Sequence, residues 1–234
     1  IINHLYAYWN ASEKLVFTLG NFNTFLGYEV ISPVDNFHYS TSYLFSYGPF
    51  SHTGLKADYT FDDNHSFMFA LMNPTDLTEM NNVNLYTYGV QYGYKNTYLN
   101  VLYGQQEVDA NNTFQIDLTG TYSLSKACTL GVNASYNETW ATSGFYGLAL
   151  YPAYSLKDGV DVGVRLEYFK ELGTGGVAYG ASNSVIDATL TASYTTNDLR
   201  LIAEFRLDDS STPQFNSMTS DQLSSIVLAA VYAF

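Results

Sequence analysis

Phe114-Gln-Ile-Asp-Leu-Thr-Gly-Thr-Tyr-Ser123 is the stretch that decides the fold. Phe114, Ile116, Leu118, Gly120 and Tyr122 alternate with Gln115, Asp117, Thr119, Thr121 and Ser123. Successive side chains of a strand point to opposite faces, so this is a ribbon with one apolar and one polar side. The same pattern sets Leu130, Val132, Ala134 and Tyr136 against Thr129, Gly131, Asn133 and Ser135. In 160–172, Val160, Val162, Val164, Leu166 and Tyr168 oppose Asp161, Gly163, Arg165, Glu167 and Phe169. In 199–208, Leu201, Ala203, Phe205 and Leu207 oppose Arg200, Ile202, Glu204 and Arg206.

Working outward, period-two alternation and turn signals predict strands over 1–9, 14–22, 51–61, 66–74, 83–94, 97–106, 113–123, 128–138, 145–156, 160–172, 185–195, 199–208 and 225–234. Lengths near ten suit the ~9–11 residues that a tilted membrane strand needs. A soluble sandwich would alternate as well, so the connections decide. Short ones (Asn10–Glu13, Asp62–His65, Lys95-Asn96, Leu124–Ala127, Lys157–Gly159, Thr196–Asp198) take turns with longer ones at 23–50, 75–82, 107–112, 139–144, 173–184 and 209–224. Short turns at one end, long loops at the other and aromatic residues near strand ends are the pattern of an antiparallel transmembrane β-barrel.

Composition agrees. Charged residues make up only 13% of the chain and aromatic ones 17%, against a usual charged share nearer ~25%. That excludes a disordered chain. The longest apolar run, Ile226 to Phe234, is far short of the ~18 residues of a membrane helix. The net charge of −13 excludes a nucleic-acid partner, which needs a basic footprint. Cys128 stands alone and reads as a small strand residue.

The reading is one β-barrel domain over 1–234, with the 23–50 loop folded into the lumen. If the short turns are periplasmic, the first strand descends. Since bacterial barrels have even strand numbers, the expectation is a complete protein of 14 or 16 strands, with its N-terminal strand and signal peptide preceding Ile1.

Gly20-Asn-Phe-Asn-Thr-Phe-Leu-Gly-Tyr-Glu-Val-Ile31, Asp35-Asn-Phe-His-Tyr-Ser-Thr-Ser-Tyr-Leu-Phe45 and Pro49-Phe-Ser-His-Thr-Gly-Leu-Lys56 resemble a signature of the OmpL-like β-barrel porin family. The similarity continues through Leu199-Arg-Leu-Ile-Ala-Glu-Phe-Arg206 to the terminal Leu228-Ala-Ala-Val-Tyr-Ala-Phe234. The resemblance implies a Gram-negative outer-membrane protein. Its terminal aromatics, Tyr232 and Phe234, resemble the signal read by the barrel-insertion machinery, a partner during biogenesis. The family supplies no solute.

Two regions are candidate sites. Loops beyond ~12–15 residues are usually functional or disordered, and the aromatic content of 23–50 argues against disorder. Asp35 or Ser40 is placed to N-cap a short helix across 36–46. The loop either narrows the lumen, with Glu29, Asp35 and His38 near the constriction, or caps the rim. The second region is the inner wall carrying Asp161, Arg165, Glu167, Glu171, Asp187, Arg200, Glu204, Arg206 and Asp208, joined by Lys56 and Asp58. Arg or Lys at the lipid midplane costs about 2–4 kcal/mol, so these charges must face inward in a membrane barrel. They form either an ion-selecting field or a self-satisfied salt-bridge lattice.

No enzyme is expected. His4, His38, His52 and His65 lack metal-ligand spacing, and adjacent Ser51 and His52 point to opposite faces. Gly173-Thr-Gly-Gly176 lacks the Lys and Ser/Thr of a phosphate loop. No cofactor or metal is implied. The function expected is passive diffusion of small hydrophilic solutes, cation-preferring or weakly selective, by a barrel embedded in outer-membrane lipid. The alternative is a non-conducting structural barrel associated with other outer-membrane proteins, a reading that the apolar inner face of the last strand (Val227, Ala229, Val231, Ala233) favours.

Overall fold

The computed structural model describes residues 4–78, 81, 84–106, 111–139, 143–173 and 183–233. Its strands in chain order are β1 (Leu5–Asn10), β2 (Leu15–Asn23), β3 (Ser51–Thr60), β4 (His65–Met72), β5 (Thr87–Tyr94), β6 (Thr97–Gln105) and β7 (Asn112–Ser123). They continue as β8 (Cys128–Thr139), β9 (Ser143–Lys157), β10 (Val160–Gly173), β11 (Ser184–Thr196), β12 (Leu199–Ser210) and β13 (Gln222–Tyr232). One helical turn, α1 (Tyr43–Ser46), lies between β2 and β3. Each strand pairs antiparallel with the next, giving one 13-stranded meander in sequence order. Among the described residues no helix is long and apolar enough to cross a membrane.

The alternation read from sequence is the alternation of the sheet, with the polar face inside. On β11, Leu190 is 56% exposed, whereas its neighbours Thr189 and Thr191 are fully buried, as is Asp187. A soluble sandwich would show the reverse. Ile186, Leu201, Phe205 and Leu207 are likewise exposed, as a lipid-facing surface requires.

Turns end the strands where the backbone chemistry permits. Asp158 and Gly159, both at positive φ (50° and 79°), make a two-residue turn between β9 and β10. Both central residues at positive φ is the primed-turn geometry that matches strand twist. The β9–β10 register runs Gly163↔Ala153 and then Leu166↔Leu150. That gap covers Pro152, which has no N–H to donate to a ladder.

Some boundaries differ from the sequence reading. β5 starts at Thr87 rather than 83, while β8 and β9 run on to Thr139 and Ser143, which shortens the predicted 139–144 loop. The helix is also shorter than 36–46, and its N-cap is Ser42, whose side chain accepts from the Phe45 N–H. Neither Asp35 nor Ser40 caps it. Ser40 is held instead by Arg165, whose Nη1 donates to the Ser40 carbonyl and Nη2 to its hydroxyl.

The dry core is not between two sheets. It forms where Tyr43 and Leu44 of the loop pack on Phe145, Ala149, Tyr151, Phe169 and Val185, all on the inner faces of β9, β10 and β11. A smaller cluster joins Phe22, Met68, Ala70 and Met72, with Phe25 against it.

Candidate functional site in the barrel interior

Strand register places charge on the inner wall in rows. Glu167 pairs directly with Asp187, and Asp187 with Asp208, so three carboxylates stand side by side across β10, β11 and β12. Like charges directly opposite destabilise a sheet. The adjacent inner row supplies the counter-charge: Arg165 pairs with Thr189, and Thr189 with Arg206. Arg165 Nε lies 3.1 Å from Asp187 Oδ1, and Arg206 Nε lies 2.6 Å from Asp187 Oδ2. Arg206 also forks onto Asp208, with Nη2 2.8 Å from Oδ1. Asp187 is thus clamped between two guanidiniums.

The remaining wall carboxylates grip the loop between β2 and β3. Glu204 accepts the N–H groups of Tyr39 (2.9 Å) and Ser40 (3.1 Å). Glu167 accepts those of Tyr43 (2.8 Å) and Leu44 (2.7 Å), satisfying two donors that a helix start leaves open. Asp117 accepts the Gly27 N–H at 2.9 Å, and Asn100 and Asn133 on β6 and β8 donate to the same carboxylate. From the cationic side, Arg206 Nη1 donates to the Thr41 carbonyl, and Arg200 Nη2 to the carbonyls of Pro33 and Asn36.

One loop side chain returns the charge. Glu29 is buried, lies 3.1 Å from Arg165 Nη1 and accepts from both the backbone N–H and the hydroxyl of Ser42. His38 Nδ1 lies 2.7 Å from Thr191 Oγ1. Because Thr191 donates its hydroxyl proton to Glu204, the imidazole is the donor in that contact. Burial pushes the His38 imidazole down to about 3, and the positive charge of Arg165 adds to the shift.

The wall is shaped for the loop as well as charged for it. Four inner-facing glycines on four strands lie directly under loop side chains. A Cβ at Gly89 would meet Phe25 at 2.6 Å, one at Gly131 would meet Tyr28 at 2.3 Å, and one at Gly163 would meet Phe37 at 2.4 Å. At Gly147 a Cβ would meet the Tyr168 carbonyl of the wall at 2.5 Å and the Leu44 side chain of the loop at 3.0 Å. These sockets were not anticipated from sequence; their only signal is glycine at inner positions of alternating strands.

The predicted residues therefore divide. Glu29, His38, Arg165, Glu167, Asp187, Glu204, Arg206 and Asp208 form one connected cluster. Glu171 is buried on the same wall, and Asp161 and Arg200 sit half-buried nearer the short turns. Lys56 and Asp58 pair with each other at 2.8 Å on β3, away from the cluster. Asp35 is exposed at the lip of a cavity rather than inside the network. Tyr232 faces outward and is exposed, while Phe234 lies outside the described residues. No group of His, Cys, Asp or Glu among the described residues is arranged to hold a metal ion.

Comparison with known proteins places this architecture. A family model described as "Putative beta-barrel porin-2, OmpL-like" matches residues 1–234. No curated protein matches the chain. The fold is similar to a loop L8 deletion mutant of OmpT, an outer membrane protein of Vibrio cholerae (TM-score 0.65, 15% identity, covering 94% of this chain and 76% of that one). It is also similar to the outer membrane channel DcaP of Acinetobacter baumannii (TM-score 0.63, 13% identity, 94% and 73% covered). OpdQ of Pseudomonas aeruginosa gives a TM-score of 0.54 at 12% identity, with 95% and 68% covered. At these identities the likeness concerns the fold.

Proposed function

The chain belongs to the putative β-barrel porin-2, OmpL-like family and is an integral outer-membrane, porin-like channel; from that premise we propose that it passes small hydrophilic solutes by passive diffusion, with a preference for cations. The preference rests on one observation. On the inner surface Lys56, Arg165, Arg200 and Arg206 are outnumbered by carboxylates: Asp58, Asp117, Asp161, Glu167, Glu171, Asp187, Glu204 and Asp208 on the wall, with Glu29 and Asp35 on the loop. Charged groups lining a low-dielectric passage bias which ions enter it.

The loop from Thr24 to Phe50 is the constriction in this reading, with Glu29, Asp35 and His38 at its narrow part. Cavities of about 320 Å³ and about 510 Å³ border it, the first beside Tyr28 and Tyr151, the second between Tyr43, Arg206 and Val227. Solute passes along the flanks of the loop rather than through its hydrogen-bonded centre. The test is the zero-current potential of the purified protein in planar bilayers under a KCl gradient. A potential with the sign of K⁺ preference is expected; strong chloride preference contradicts the proposal.

A second reading has its own support. The clamped carboxylates and glycine sockets also suit a barrel whose loop is a permanent plug, serving as a structural subunit among other outer-membrane proteins. Absence of any conductance in the same bilayers would favour it.

A further inference from the structure

The cavity of about 320 Å³ on the short-turn side of the loop is built as a slot. Its floor is made of small inner-wall residues, Thr129 opposite Ala153, with Thr121 also lining it. Tyr28, seated on Gly131, and Phe37, seated on Gly163, lie at its two sides. Tyr151 stands behind Tyr28, the rings stacked with centroids 4.6 Å apart. Asn36 and His38 also line it, Glu29 and Asp35 supply its carboxylates, and no lysine or arginine is among the lining residues. Glu29 is committed to Arg165 and Ser42, whereas Asp35 is exposed at the lip.

We infer that this slot is a binding site for a compact organic cation of the alkylammonium class. Aromatic faces attract a cation through the ring quadrupole, most strongly where water is excluded, and rings grouped around a small volume recognise quaternary ammonium ions. The Asp35 carboxylate adds an attraction that a neutral solute cannot use. An anion would meet the exposed Asp35 carboxylate, while the nearby guanidiniums are already engaged, Arg165 by Glu29 and Asp187 and Arg200 by the carbonyls of Pro33 and Asn36. A neutral sugar would gain from the rings but not from the field. The assignment rests on the channel reading only for the route of entry.

The test uses the full chain in non-ionic detergent micelles and tetramethylammonium chloride as the probe. That ion has no N–H, so it binds only through charge and ring contact. Saturation-transfer NMR on its methyl protons is expected to show binding, weakened about three- to tenfold by Tyr28→Leu and by Asp35→Asn. Asp35 is exposed and anchors no part of the loop, so its variant remains informative if Tyr28→Leu disturbs the fold. Absence of saturation transfer, unchanged binding in Asp35→Asn, or equal binding of glucose overturns the site. Binding of tetramethylammonium to a barrel that carries no KCl current supports the site and contradicts the channel reading, so the two fail separately.

Discussion

Arg165 Nη1 on β10 lies 3.1 Å from Glu29 Oε1 on the loop, across a separation of 136 residues. Both side chains are buried, and Asp187 completes the pair's electrostatics from β11. The contact joins the wall's charge rows to the segment that crosses them. Removing one partner of such a pair leaves a buried uncompensated charge, which costs about 3–5 kcal/mol. Arg165→Met should release the loop while the meander persists. Chymotrypsin, which cuts after the aromatic residues of 24–50, should then cleave the folded variant much faster than the parent. Equal cleavage would show that the loop is held without this pair.

The glycine sockets predict a steric phenotype. Gly163→Ala places a methyl group 2.4 Å from the Phe37 ring. Overpacking of this kind costs about 1–3 kcal/mol. Thermal unfolding in micelles should show that loss, and Phe37→Ala should relieve it in the double variant. Additive losses would mean that the ring is not seated on Gly163.

How much of this was legible in the sequence follows from the physics of each feature. Two-residue alternation fixed which face of 113–123 or 199–208 is apolar, and the cost of charge in lipid then sent Arg165, Glu204 and Arg206 inward. Pairing was not legible. Nothing local to Arg165 announces Glu29, because a contact between strand and loop depends on how the whole loop lies. The helix cap fell on Ser42 for the same reason, since Ser40 is taken by Arg165. Glycine at 131 or 163 reads as a weak strand residue until the ring above it is seen.

Docking of the loop should depend on pH through His38. In a released loop its imidazole titrates near ~6.5, whereas burial holds the docked form down to about 3. The docked state therefore binds fewer protons. Its stability is fully present above about 6.5 and is lost progressively as pH falls from there toward 3. Conductance should rise between about pH 6.5 and 5, and His38→Gln should flatten that rise. An identical profile in the variant would remove His38 from the account.

The outward assignment of β11 is testable by folding into lipid vesicles. Leu190 is exposed at mid-strand, and Leu156 is exposed beside a short turn. Leu190→Arg should destabilise the barrel by about 2–4 kcal/mol and Leu156→Arg by about 0–1 kcal/mol, because the penalty depends on membrane depth. Equal costs at the two positions would contradict the placement of the strand across the bilayer.

The claim that a strand-anchored loop narrows the lumen is tested most directly by single-channel conductance of the protein lacking residues 32–46. That deletion removes His38, Ser40 and α1 and leaves Glu167 and Glu204 facing the lumen without their backbone partners. The account predicts a severalfold larger unitary current than that of the intact chain, with cation preference retained. An unchanged unitary current would contradict it.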